Sequence, residues 1–171
     1  MGHPARLATA LLLVVAAALG CQSVRTLGGQ AQRALRPPGE KLAALPEDVA
    51  DEYGCARVRK PFVRLERVEI KPDRVRAGGA VNHRLVYALC PAGSTEVVRG
   101  ALETRVLHAG RTLLRDHQPR YELKPGRWIV DATIEIPESA KTGVYAIEVR
   151  FRGGPVRFHG ERAFAVAARE R

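Results

Sequence analysis

Residues 125–136 read Pro125-Gly126 followed by RWIVDATIEI, and this stretch decides the fold. After the turn-forming Pro-Gly pair, Trp128, Val130, Ala132, Ile134 and Ile136 occupy every second position without a break. A period of two places all five on one face of a strand and leaves Asp131 and Glu135 on the other. Toward the C-terminus, residues 143–152 repeat the pattern through Tyr145, Ile147, Val149 and Phe151. Gly153-Gly154-Pro155 then turns the chain into a closing strand that carries Phe164 and Val166. Toward the N-terminus, Ala109-Gly110 is the expected hairpin turn between strands over residues 96–108 and 111–116. Residues 80–90 hold Val81, Leu85, Tyr87 and Leu89 in one phase. Residues 61–71, PFVRLERVEIK, change phase between Val63/Leu65 and Val68/Ile70, which implies a bulge or a strand that changes sheets. About seven short strands separated by turn residues predict an all-β sandwich over residues 61–168.

Two short patterns refine this expectation. Ile70-x-Pro72-x-x-Val75-x-x-Gly78 resembles the first-strand region of bacterial immunoglobulin-like domains, and Gly143-Val144-Tyr145-Ala146-Ile147 is similar to their sixth strand. The resemblance implies an immunoglobulin-like sandwich in which the Tyr145 hydroxyl anchors a corner by bonding back to the main chain. It also puts Ile147 where antibody domains carry their second core cysteine. Trp128 follows a Pro-Gly turn, so the antibody tryptophan pattern is absent. No activity comes with such a fold.

The N-terminal residues are an address. One early cation, Arg6, precedes an apolar run from Leu7 to Leu19, and Gly20-Cys21 closes it. Such a run is the h-region of an export signal, too short for the roughly 20 apolar residues of a spanning helix. Ala18-Leu19-Gly20-Cys21 resembles a bacterial lipobox. That resemblance implies signal peptidase II cleavage after Gly20, a diacylglycerol on the Cys21 thiol, and acylation of the new α-amine. Gln22, in place of Asp, is similar to the outer-membrane sorting pattern of enteric bacteria. The expected domain order is therefore a lipoprotein signal peptide over 1–20, a lipid-anchored tether over 21–60, and the sandwich over 61–168. Gly28-Gly29, Pro37-Pro38-Gly39 and Pro46 mark the tether as semi-flexible. Residues 46–53 are a candidate short helix, with Pro46 and two acids suited to its first turn.

With Cys21 assigned to lipid, Cys55 and Cys90 remain, and in an exported protein the simplest reading is a disulfide. Two buried thiols or a redox pair are the alternatives. His83, His108, His117 and His159 show no metal-ligand spacing, although His108 and His117 flank one hairpin and could approach each other. Ser23, Ser94 and Ser139 lack a nucleophile setting, and the Asp residues are scattered. Neither a catalytic site, a metal nor a cofactor is expected.

The charge balance points elsewhere. The 171 residues carry 28 Lys+Arg against 18 Asp+Glu, a net charge of +10, with 46% hydrophobic residues. That apolar fraction supports a real core and argues against wholesale disorder. Arg57, Arg59, Lys60, Arg64 and Arg67 crowd the approach to the first strand, with Arg74 and Arg76 close after. Such a cluster can attract peptidoglycan carboxylates or lipopolysaccharide phosphates, or it can simply keep an edge strand from pairing. The export signal argues against nucleic acid as a partner. The expected function is a non-enzymatic, membrane-anchored, periplasm-facing module that presents its sandwich to another envelope protein. The alternative is direct binding of an anionic envelope polymer through the Arg-rich region.

Overall fold

The computed structural model describes residues 36–57, 59–91 and 96–168, and everything below belongs to the unit Pro37–Arg171. Cys21 and the signal segment lie outside the described residues. Among the described residues, nine strands and one α-helix run in the order β1 (Gly39–Ala44), α1 (Pro46–Tyr53), β2 (Phe62–Lys71), β3 (Arg74–Arg76), β4 (Ala80–Cys90), β5 (Val98–His108), β6 (Arg111–Leu123), β7 (Gly126–Glu135), β8 (Gly143–Gly153) and β9 (Val156–Ala167), with a 3-10 turn at Cys55–Arg57 between α1 and β2.

The strands form two packed sheets, ordered β1-β7-β4-β2 and β3-β9-β8-β5-β6. The two packed sheets make the all-β sandwich that the alternation implies, with β1 completing the smaller sheet. Alternation works as the sequence implies. Val81, Leu85, Tyr87 and Leu89 of β4 and Tyr145, Ile147, Val149 and Phe151 of β8 point inward and are buried. Tyr145 Oη donates to the Lys141 carbonyl at 2.8 Å, so the tyrosine corner is present.

The phase change in PFVRLERVEIK is the first of the two expected alternatives, a bulge. A bulge between Leu65 and Arg67 shifts the pairing of β2 with β4. Beyond Pro72 the chain crosses to the other sheet, where β3 lies parallel to β9 and buries Val75. Ala109 (φ 49°) and Gly110 (φ 75°) make the predicted hairpin turn, and β6 then continues well past 116, to Leu123.

The tether reading of 21–60 needs correction over its second half. Gly39–Ala44 has no apolar alternation, yet it pairs antiparallel with β7 from Gly39/Asp131 to Ala44/Arg127. The predicted helix forms over Pro46–Tyr53 with Glu47 and Asp48 in its first turn and Gly54 (φ 65°) ending it. It buries Val49 against Ala88 and Cys90 on the outer face of the small sheet. The strand count is accordingly nine rather than seven, because β1 and β3 are too short and too polar to show a period.

Candidate functional site

Cys55 and Cys90 form a disulfide with Cα atoms 5.4 Å apart, which staples the end of α1 to the outer face of the small sheet. Beside it, the Arg127 guanidinium bonds the Glu66 carboxylate at 2.7 Å and the Glu52 carboxylate at 2.8 Å, while Tyr53 Oη donates to Glu66 at 2.8 Å. Burial pushes Glu66 upward, but the bonds from Arg127 and Tyr53 outweigh it and hold the carboxyl below its usual range. The bond with Glu66 in turn raises Tyr53. These groups fix the helix against the small sheet.

The Arg-rich region lies on the rim of this helix-covered face. Arg57 ends the 3-10 turn, Arg59 and Lys60 lie in the connection, and Arg64 and Arg67 stand on β2, the free edge of the small sheet. All five are exposed, and Arg64 adds to the positive charge that lowers the Glu66 carboxyl. Arg74 and Arg76 fall on β3 in the other sheet.

The larger sheet exposes more. Strand β6 is its last strand, hydrogen-bonded on one side only, and residues 111–120 are exposed without exception. Leu113 and Leu114 there are 58% and 48% exposed. Bulges opposite Gly100/Leu102 and Val106/Leu107 interrupt β6 and leave Leu114–Gln118 as its regular stretch. His117 faces Glu103, and His108 stacks on Tyr145 with ring centroids 4.3 Å apart, so the two histidines do not meet. Where β6 meets β1, Tyr121 Oη donates to Glu40 at 2.7 Å and Lys124 pairs with Glu40. Lys124 also covers the Trp128 ring at 4.7 Å. A shallow depression of about 600 Å³ is lined by Glu40, His117, Gln118, Tyr121 and Lys124.

The outer face of the larger sheet carries a cluster that sequence reasoning missed. Glu148 is buried, yet it points away from the core into a ring of cations. Arg105 reaches it at 2.8 Å, Arg150 at 2.7 Å and His159 at 2.8 Å. Burial alone would raise its pKa, but Arg150, Arg105 and His159 together hold it below the usual carboxylate range. Glu148, His159 and Glu161 bring ligand atoms within 4.8 Å of one another. Both Glu148 oxygens are already taken by guanidinium groups, so the place a metal would occupy is filled by cations of the chain. Its partners come from its own strand β8, from the adjoining β9 and from the distant β5, and only the glutamate's inclusion in the apolar run 143–152 hints at it.

No protein-family model matches the chain, and no curated protein matches it. Among solved structures, the alkylpurine DNA glycosylase AlkC of Pseudomonas fluorescens bound to abasic-site DNA aligns at 12% identity and a TM-score of 0.45, over 61% of this chain and 30% of that one. A family 123 glycoside hydrolase from Clostridium perfringens aligns at 13% identity and a TM-score of 0.43, over 76% and 27%. A CARDB domain from Pyrococcus furiosus in complex with di-metal ions aligns at 11% identity and a TM-score of 0.34, over 64% and 85%. The chain spans less than a third of the first two proteins, and at these scores none of the three bears on its activity.

Proposed function

We propose that this protein is a lipid-anchored, non-enzymatic cell-envelope module that faces the periplasm and binds another envelope protein. The anchor reading rests on Ala18-Leu19-Gly20-Cys21 and the apolar run before it. The observation that carries the binding role is the open edge of β6. Ten consecutive exposed residues, two of them leucines, lie on a strand with one side unpaired. Unpaired backbone N–H and C=O groups flanked by exposed apolar side chains suit strand addition by an extended partner segment. The bulges and Pro119 restrict that addition to Leu114–Gln118, which makes the docking register-specific.

The test is site-specific photocrosslinking in the intact envelope, with the probe at Leu114 and, for comparison, at Thr133 on the small sheet. A defined adduct at Leu114, absent at Thr133 and lost in an Arg115→Pro chain, is the expected result. Equal adducts at both positions, or none at Leu114, would dismiss the β6 reading.

A further inference from the structure

Four arginines of the sandwich face a carboxylate directly across the ladder. Arg84 directly opposes Asp131, Arg99 opposes Glu122, Arg105 opposes Glu148 and Arg150 opposes Glu103 across neighbouring strands. Opposite charges at directly facing positions stabilise a sheet, and like charges there destabilise it. Arg105 also faces Arg115, but Glu103 lies within ion-pair reach of both, at 3.0 and 3.7 Å.

At one hairpin two arginines face each other without such relief. Arg152 of β8 directly opposes Arg157 of β9, just before and after the Gly153-Gly154-Pro155 turn. Both are exposed, and neither is paired with a carboxylate among the described residues. The next outward-facing pair along the same hairpin is Arg150 opposite His159. Glu148, buried beneath them, is committed to Arg150, His159 and Arg105, so it offers nothing to the outer two. Its bonds hold Arg150 and His159 in place at the inner edge of the arginine pair.

We propose that Arg152 and Arg157, backed by Arg150 and His159, form a phosphate-binding site at the tip of the β8–β9 hairpin. Directly opposed Cβ atoms lie about 5 Å apart, so two guanidinium forks can converge on one tetrahedral anion. Each fork donates two parallel N–H bonds. A carboxylate, with two oxygens, satisfies one fork; a phosphate has oxygens and charge enough for both. The bound anion would supply the negative charge that Arg84, Arg99, Arg105 and Arg150 find in the chain itself. β5 and β8 approach closely behind the pair: a Cβ on Gly100 would meet the Arg152 carbonyl oxygen at 2.4 Å. The site is separate from β6 and does not depend on the anchor. It serves equally for a free phosphorylated molecule or for the phosphate of a lipid headgroup.

Titration of the full chain with inorganic phosphate at constant ionic strength, followed by amide chemical shifts, tests the proposal. Saturable binding with shifts concentrated at residues 150–159 is expected. Arg152→Ala/Arg157→Ala should weaken it at least tenfold, whereas the charge-matched Arg111→Ala/Arg120→Ala chain should bind as the parent does. Without phosphate, the Arg152→Ala/Arg157→Ala chain should melt no lower than the parent. No saturable binding, equal loss in both double variants, or a lowered melting temperature in the hairpin variant would overturn the site. Vesicles with and without phosphatidylglycerol then distinguish the source, because any anchor is common to all variants. Greater loss for the hairpin variant than for the control on anionic vesicles assigns a headgroup phosphate. Phosphate binding without that difference keeps the site and assigns a free phosphorylated ligand.

Discussion

Arg127 on β7 holds Glu66 on β2 across the strand that separates them, with Nε 2.7 Å from Oε2 and Nη2 2.8 Å from Oε1. The two side chains meet over β4 at Ala88, which is small and buried and leaves them room. The same guanidinium reaches Glu52 of α1, so one residue ties the helix, the edge strand and the sheet together.

Removing it leaves a half-buried carboxylate without its charge partner. Arg127→Ala should destabilise the protein by about 2 kcal/mol, read as a drop in denaturant midpoint at constant slope. Glu52→Ala breaks only the exposed arm, 51% accessible at the glutamate, and should stay below about 1 kcal/mol. A larger effect from Glu52 than from Arg127 would contradict this division.

His83 gives the protein an acid limit. Its ring faces inward on β4, its Nε2 has no partner among the described residues, and burial pushes its pKa down to about 4 despite the nearby Asp131. The unfolded chain takes up the proton near its ordinary value, so stability is full above about pH 6.5 and falls as the pH drops toward 4. The loss over that window is about 3 kcal/mol. His83→Leu should flatten the pH dependence of stability there while leaving the carboxylate-driven loss at lower pH, to which Glu66 and Glu148 contribute. An unchanged profile between pH 6.5 and 4 in that variant would refute the assignment.

The Cys55–Cys90 bond closes a separation of 35 residues. By chain entropy its loss costs up to about 4 kcal/mol, so reductant should lower the melting temperature by well over ten degrees. Non-reducing mass analysis of the exported protein should show a mass two hydrogens below that of the dithiol.

Gly160 is where the two sheets approach most tightly at their β2/β9 side. A Cβ there would lie 2.6 Å from Val68 Cγ2 and 2.7 Å from Leu65 Cδ2. Gly160→Ala should destabilise by about 1–3 kcal/mol through overpacking, a cost that Leu65→Ala in the same chain should partly relieve in a double-mutant cycle.

For the anchor, Cys21→Ala should abolish processing and leave the chain unacylated. Metabolic labelling with a palmitate analogue reports this directly; retained label in that variant would remove the lipobox reading.

Much of this molecule is legible in its residues alone. Alternation through Trp128–Ile136 and Tyr145–Phe151, the Ala109-Gly110 turn, the bulged first strand, the short helix at Pro46 and the corner at Tyr145 all follow from local period and turn chemistry. The Cys55–Cys90 pair was reached by simple counting. Local pattern has no information about which strands become neighbours. Only the tertiary structure recruits Gly39–Ala44 into a sheet, since main-chain pairing with β7 and the Glu40 bonds replace the missing apolar phase. It alone buries Glu148 beneath Arg105, Arg150 and His159, and leaves β6 open along one side. The hairpin turn at Gly154 could have been read in advance, but the isolation of Arg152 and Arg157 could not. The Arg152/Arg157 register is local to its hairpin, but whether Glu148 is already spent is set by Arg105 on β5, a strand distant in the chain.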